Sequence, residues 1–311
     1  MVAVLPPDIW HQILQNTVYA PHYLENAQRN SPLVERNASS AMSTMITETQ
    51  ATLSRLALVN KSFRYLASKL EYQHLIFHEL SDLQTLVHSI NTNQGIHADL
   101  RNNARTMSVL FSLGVDKAEY EANLGRLTTV LLLTPYLTVI ELCEPNTFKW
   151  RGGERGKVIE YWFAQVASFA PKVTAIKFGL DWSDRTPSHI ATWTFLPGIS
   201  ANYPCLRYLH CNIACKQSYP AFRPPFRPLV LPNLESLVTC IAEYRMSSED
   251  RVEHLTEWIK QWRLPILKHL AINGSVEYYD WTWITMLLIN NGGQLETFLV
   301  EVRVPIDAVL Q

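Results

Sequence analysis

Six short segments of the chain repeat one arrangement of apolar and variable positions. Each has an apolar residue, two variable ones, an apolar one, a variable one, and a last apolar or small residue. They are Leu137–Leu142, Val173–Phe178, Leu206–Cys211, Leu234–Thr239, Leu267–Ile272 and Leu295–Val300. Their first residues lie 36, 33, 28, 33 and 28 positions apart. Two weaker copies, Tyr72–Phe77 and Ala104–Val109, carry the series back toward the N-terminus. The closing alternation in each copy predicts a short strand. A repeat of this length predicts stacked units, none of which can bury its apolar face alone.

Helical periodicity fills several of the intervals. Leu83, Leu86, Val87 and Ile90 fall on one face, as do Leu124, Leu127 and Leu131, and Ile159, Trp162, Phe163 and Val166. Val252, Leu255, Ile259 and Trp262 make a fourth stripe, and Ile284, Leu287 and Leu288 a fifth. Many strands are introduced by a breaker: Pro135, Pro171, Pro204, Pro232, Pro265 and Gly293. Proline stops the helix and sets up the turn into the strand. The proline-rich stretch 220–232 predicts an extended loop in place of a helix. A doubly wound sheet is the rival architecture, but it calls for longer β runs and a glycine-rich turn at a strand end, and neither is present.

The first seventy residues differ. Pro6-Pro7-Asp8 suits a helix start, with proline in the first turn and an acid at the positive end of the dipole. Ile9, Ile13 and Leu14 give that short helix one apolar face. Residues 15–51 show weak periodicity and read as an inserted loop. Periodicity resumes with Leu53, Leu56, Val59, Phe63, Leu66 and Leu70, a helical stripe broad enough to pack a helical hairpin or to dock another protein.

Leu5-Pro6-Pro7-Asp8-Ile9-Trp10-His11-Gln12-Ile13-Leu14, followed by Leu56 to Ala67, resembles an F-box. In that family short helices bind the adaptor subunit of a cullin–RING ubiquitin ligase. The resemblance implies that Leu5, Pro6, Ile9, Ile13, Leu56, Val59 and Phe63 carry adaptor docking or the packing beneath it. The chain departs from the family in the 15–51 insert, whose closure cost grows only with the logarithm of its length, and in Phe63, where tryptophan is commoner. The strand–helix repeats behind it resemble irregular leucine-rich repeats.

Composition narrows the functional classes. Of 311 residues, 47% are hydrophobic and 18% charged, enough apolar material for a sizeable core. Net charge is −1, which gives nucleic-acid binding little electrostatic support. No apolar run reaches the roughly 20 residues that a spanning helix needs, so no membrane partner is expected. Five cysteines and a start without a basic flank before Pro6 predict reduced thiols and a cytoplasmic or nuclear protein.

The sequence contains no G-x-G-x-x-G, P-loop, H-E-x-x-H or G-x-S-x-G pattern. The Arg151–Gly156 run reads as a charged turn. Cys205, Cys211 and Cys215 with His210 do not follow the paired spacing of zinc sites, and Cys211 falls at a core position. His74 and His78 read as surface histidines. No cofactor, metal or catalytic residue is therefore expected.

In a leucine-rich repeat the variable strand positions face the concave surface, here Glu141, Lys177, Tyr208, His210, Asn212, Ser236, His269, Asn273, Thr297 and Glu301. With the aromatic run containing Tyr278 and Trp281, they are the candidate target-binding residues. The expected fold is thus α/β: an F-box-like helical module over 1–71, then a leucine-rich-repeat-like solenoid of parallel strands and helices over 72–311. The expected function is substrate recognition in a cullin–RING ubiquitin ligase, with the adaptor and an unidentified protein target as partners. Two alternatives stand beside it: a non-degradative interaction scaffold, and an enzyme with an unrecognised site.

Overall fold

The computed structural model describes residues 52–53, 55–56, 58–59, 61–114, 116–144, 152–180, 192–215, 228–243, 256–275 and 282–303. The elements run α1 (Lys61–Glu71), β1 (His74–Phe77), α2 (Leu80–Thr92), α3 (Gly95–Asn103), β2 (Thr106–Val109), α4 (Lys117–Leu131), β3 (Val139–Glu144), α5 (Gly152–Phe169), β4 (Ala175–Leu180), α6 (Thr192–Asn202), β5 (Tyr208–Cys215), β6 (Ser236–Glu243), β7 (His269–Ser275), α7 (Thr282–Asn291) and β8 (Thr297–Arg303). The eight strands form one sheet in the order β1 to β8, and every neighbouring pair is parallel.

The order never reverses. A doubly wound sheet reverses at its switch point, where crossovers change side, so that architecture is excluded. Crossovers of one hand that always step the same way place their helices on one face. The packing agrees. Leu75, Met107, Ile140, Ile176, Leu209, Leu237 and Leu270 share one cluster with the helical side chains of Leu83, Leu127, Trp162, Leu196 and Trp283.

The register reproduces the repeat alignment residue for residue. Leu75 pairs with Met107, then Ile140, Ile176, Leu209, Leu237, Leu270 and Phe298 in line. Both weaker copies therefore belong to the series. A shift of one residue would turn every one of these side chains to the opposite face. Phe298, on the last strand, is the exception to burial at this position.

Each strand from β3 to β8 is entered through the same turn. Backbone N–H groups of Leu137, Val173, Leu206, Leu234, Leu267 and Leu295 donate to the carbonyls of Thr134, Ala170, Tyr203, Leu231, Leu264 and Gly292, three residues earlier. Five of these turns hold proline at their second position, where its fixed φ matches the turn and its missing N–H is not needed. The Leu or Val that closes each of these five turns is buried, so the turn also anchors the repeat.

Aromatic stacking fills the centre of the core. Phe163 on α5 meets Trp162, Phe178 and Tyr203 edge-on at centroid distances of 5.1, 6.1 and 6.5 Å. The Tyr203 hydroxyl donates to the Phe163 carbonyl at 2.6 Å, and burial raises its pKa. Trp258 and Trp262 meet in the same way, 5.1 Å apart.

Two helices were not foreseen. α3 is short and polar, with Leu100 as its buried residue. α6 runs through Pro197-Gly198, a pair that reads as a turn. Burial of Leu196 and Ile199 holds the helix across it, and Gly198 lies where α6 meets Glu160 of α5. The Val252 and Leu255 end of the fourth predicted stripe, and residues 220–227 of the proline-rich stretch, lie outside the described residues.

A second, smaller cluster stands apart from the main core. Leu53, Leu66, Ala67 and Leu70 are buried together, with Leu56 and Phe63 packed against them. α1 meets the repeats through β1 and α3.

Candidate functional site

On the face of the sheet away from the helices, the register assembles rows of side chains. One row runs His74, Thr106, Val139, Ala175, Tyr208, Ser236, His269 and Thr297. The next runs Ile76, Ser108, Glu141, Lys177, His210, Val238, Ala271 and Leu299. In the backbone register, Asn212 pairs with Cys240, which pairs with Asn273, which pairs with Glu301. Glu141, Lys177, Tyr208, His210, Ser236, His269 and Thr297 thus fall on one side of one sheet. Tyr278 and Trp281 lie outside the described residues.

The second row is polar from Ser108 to His210, between Ile76 on one side and aliphatic residues on the other. Its centre is an ion pair: Lys177 Nζ stands 2.8 Å from Glu141 Oε1. Ser108 Oγ donates to Glu141 Oε2 at 3.0 Å, so both carboxylate oxygens are engaged. Beyond His210 the row becomes aliphatic. Val238 and Ala271 of this row are buried together with Ala175 and Tyr208 of the first row, and Val139 and Leu299 pack beside them.

This face differs from the solvent-facing surface expected of it. Glu141 is 8% exposed, Tyr208 7% and His210 5%, while Lys177 and His269 are partly buried. Strands about 4.8 Å apart press the side chains of a row against each other, and the variable positions here hold enough small and aliphatic residues to pack. Variability in the repeat pattern marked the face correctly but did not imply exposure.

His74 also departs from the surface role expected of it. Its Nδ1 lies 2.8 Å from Thr106 Oγ1, its Nε2 is buried without a hydrogen-bond partner among the described residues, and burial lowers its pKa to about 4. His210 and Cys211, neighbours on β5, point to opposite faces, so they cannot share a metal ion. Cys211 enters the main core, where burial pushes its thiol up to about 12. Cys205 sits exposed in a turn. Among the described residues no three His, Cys, Asp or Glu side chains gather as a metal cage, and no helix is long and apolar enough to cross a membrane.

The edge at which the strands begin carries a ladder of opposite charges that sequence reading missed. Arg207 grips Glu235 through Nε at 2.8 Å and Nη2 at 2.6 Å, and Lys268 meets Glu296 at 3.3 Å. The signal was available, because each residue sits just before its strand in the repeat alignment. Nearby, Tyr136 lies between Lys172 and Arg105 at 4.5 and 5.6 Å from its ring centroid.

Of the proposed adaptor-binding residues, Leu5, Pro6, Ile9 and Ile13 lie outside the described residues. Leu56 and Phe63 pack against the small cluster. Val59 is 62% exposed and its neighbour Leu58 79%. Both sit in a turn fixed by Leu58 N–H to Arg55 O and Val59 N–H to Leu56 O, at 3.1 and 3.0 Å.

No protein-family model matches the chain, and no curated protein matches it. Among solved structures, a Bacteroides fragilis protein determined as a target of the Northeast Structural Genomics Consortium is similar over 70% of this chain, with 14% identity and a TM-score of 0.40. This chain covers 58% of that protein's length.

Proposed function

We propose that the chain is the substrate-recognition subunit of a cullin–RING ubiquitin ligase. Residues 5–14 and 56–67 form an F-box-like module that docks the adaptor, within a unit over 1–71. The sheet of 72–311, read as leucine-rich-repeat-like, holds a protein target, and the chain works in the cytoplasm or nucleus without a cofactor. It contributes apposition: a target held beside the conjugating enzyme presents its lysine at high effective concentration. Bond making belongs to the other subunits, so the chain is read as no enzyme.

The observation that carries this reading is the exposed Leu58-Val59 turn. Exposed aliphatic neighbours on a small separate core, inside the second half of a two-part docking motif, are what an adaptor-binding surface requires. The sheet supports the other half of the reading, since its register gathers the variable positions of the repeats on one face.

Affinity capture of the full-length chain from cells tests it. The wild type is expected to recover adaptor and cullin, and Leu5→Asp with Pro6→Ala to lose both while keeping other partners. Recovery of neither by the wild type would overturn the reading, and adaptor without cullin would point to a non-degradative scaffold.

A further inference from the structure

The edge at which the strands begin divides into two halves of different charge. From β5 to β8 the residue before each strand alternates in sign, through Arg207, Glu235, Lys268 and Glu296. Each cation there meets the carboxylate that precedes the following strand. From β2 to β4 that balance is missing. The entering segments 100–109, 132–140 and 167–176 contain the cations Arg101, Arg105 and Lys172 and no acid. None of the three forms an ion pair among the described residues, and Arg101 and Lys172 are exposed.

Two of these cations are held in place. Arg105 donates through Nη1 to Ala104 O and through Nη2 to Asn102 O, each at 2.9 Å. It lies over the Tyr136 ring, 5.6 Å from the centroid, and Lys172 lies over the same ring at 4.5 Å. Tyr136 stands at the third position of the turn closed by Leu137 N–H and Thr134 O, and is 41% exposed. One ring thus fixes a cation from the repeat before it and another from the repeat after it. Side chains fixed in advance lose less freedom when they bind.

We propose that this edge, over β2 to β4, docks an acidic segment of another protein, with carboxylates set against Arg105 and Lys172 on either side of Tyr136. Charge complementarity selects that partner. Binding to a nucleic-acid backbone draws on about six to ten phosphate contacts, more than three cations supply. Both cations over the Tyr136 ring also oppose the stacking of a base on it. A second copy of this chain, meeting the same edge across a two-fold axis, would set these cations against themselves. The surface is separate from residues 55–67, so it does not depend on the adaptor-docking reading.

Fluorescence anisotropy of the full-length chain with a labelled peptide of alternating glutamate and serine tests the proposal. Wild-type affinity is expected to fall as salt rises. Lys172→Glu is expected to weaken binding about tenfold. Lys117→Glu changes net charge equally, at a cation paired with Glu121 on α4, and is expected to leave binding unchanged. Tyr136→Ala releases both cations without altering charge and should weaken binding about threefold. Lys172→Gln should weaken it by a similar factor with an unchanged thermal midpoint, which separates the loss from unfolding. The proposal is overturned if the wild type does not bind, if Lys172→Glu and Lys117→Glu lose equally, or if Lys172→Gln binds as the wild type does. Tighter binding of single-stranded oligothymidine than of the peptide also overturns it and assigns the edge to nucleic acid. A chain that binds the peptide in this way and ignores the ligase adaptor sinks the docking reading and leaves this inference standing.

Discussion

Lys177 on β4 and Glu141 on β3 stand opposite each other in the parallel ladder, with Nζ 2.8 Å from Oε1. Ser108, one strand further, takes the other carboxylate oxygen at 3.0 Å. Both charged side chains are largely withdrawn from water, so each depends on the other for compensation. Lys177→Met leaves a sheltered carboxylate facing Ser108 without its cation and is expected to cost about 3 kcal/mol. Pairing it with Glu141→Gln removes both charges and should recover most of that loss. Urea unfolding of the two single variants and the double variant measures the coupling. Additive losses would show that the pair is not held as described.

Asn291 closes the last repeat onto the one before it. Its Oδ1 accepts from the Leu264 N–H at 2.8 Å, and its Nδ2 donates to Leu287 O at 3.2 Å. Both bonds are buried. Asn291→Ala strands the Leu264 N–H at the start of the β7 turn, which should cost about 1–3 kcal/mol. Thermal unfolding measures the loss, and hydrogen exchange at Leu264 should rise with it. An unchanged exchange rate would mean that the amide has another partner.

The strand positions and the turns were legible because two constraints coincide in them. Leu209 must point toward the helices, and Pro204 must stop α6 and open the turn, so periodicity and breaker residues mark the same repeat. α6 was not legible, because Pro197-Gly198 carries a local turn preference that burial of Leu196 and Ile199 overrides. The candidate face was legible in membership and not in environment. Alternation assigns Glu141 and His210 to one side of the sheet, but their exposure depends on what surrounds the row, which no local pattern encodes. The Leu58-Val59 turn was half legible. The motif marks Val59, but the exposure of Leu58 needs the fold.

Gly293 occupies the turn position that proline fills in the five preceding repeats. A Cβ added there meets nothing within 4 Å, and its φ lies outside the left-handed region. Gly293→Ala therefore restricts the unfolded chain without a clash and should stabilise the protein by about 0.4–1 kcal/mol. A raised thermal midpoint checks it. A lowered one would mean that this turn needs the freedom of glycine.

Cys205 and Cys211 sit six residues apart in environments that differ sharply. Cys205 is exposed and Cys211 fully buried, with its thiol held well toward the neutral form. The thiolate is the reacting species. Brief iodoacetamide treatment of the native protein at pH 8, read by peptide mapping, should label Cys205 and spare Cys211. Labelling of both at equal rates would contradict the packing of β5 against the helices.

His74 ties stability to pH. An unfolded histidine titrates near 6.5, about two and a half units above the folded value of about 4. Between those values the unfolded chain binds the proton and the folded one does not. The stabilisation is therefore complete above about pH 6.5 and is lost as pH falls toward 4. From pH 7.5 to pH 5 the loss should reach about 2 kcal/mol. His74→Gln keeps a polar side chain beside Thr106 but cannot take up the proton, so its stability should fall less over the same interval. Denaturant unfolding of both proteins at the two pH values gives the comparison. Parallel losses would assign the acid sensitivity to other groups and place the His74 ring in water rather than against β2.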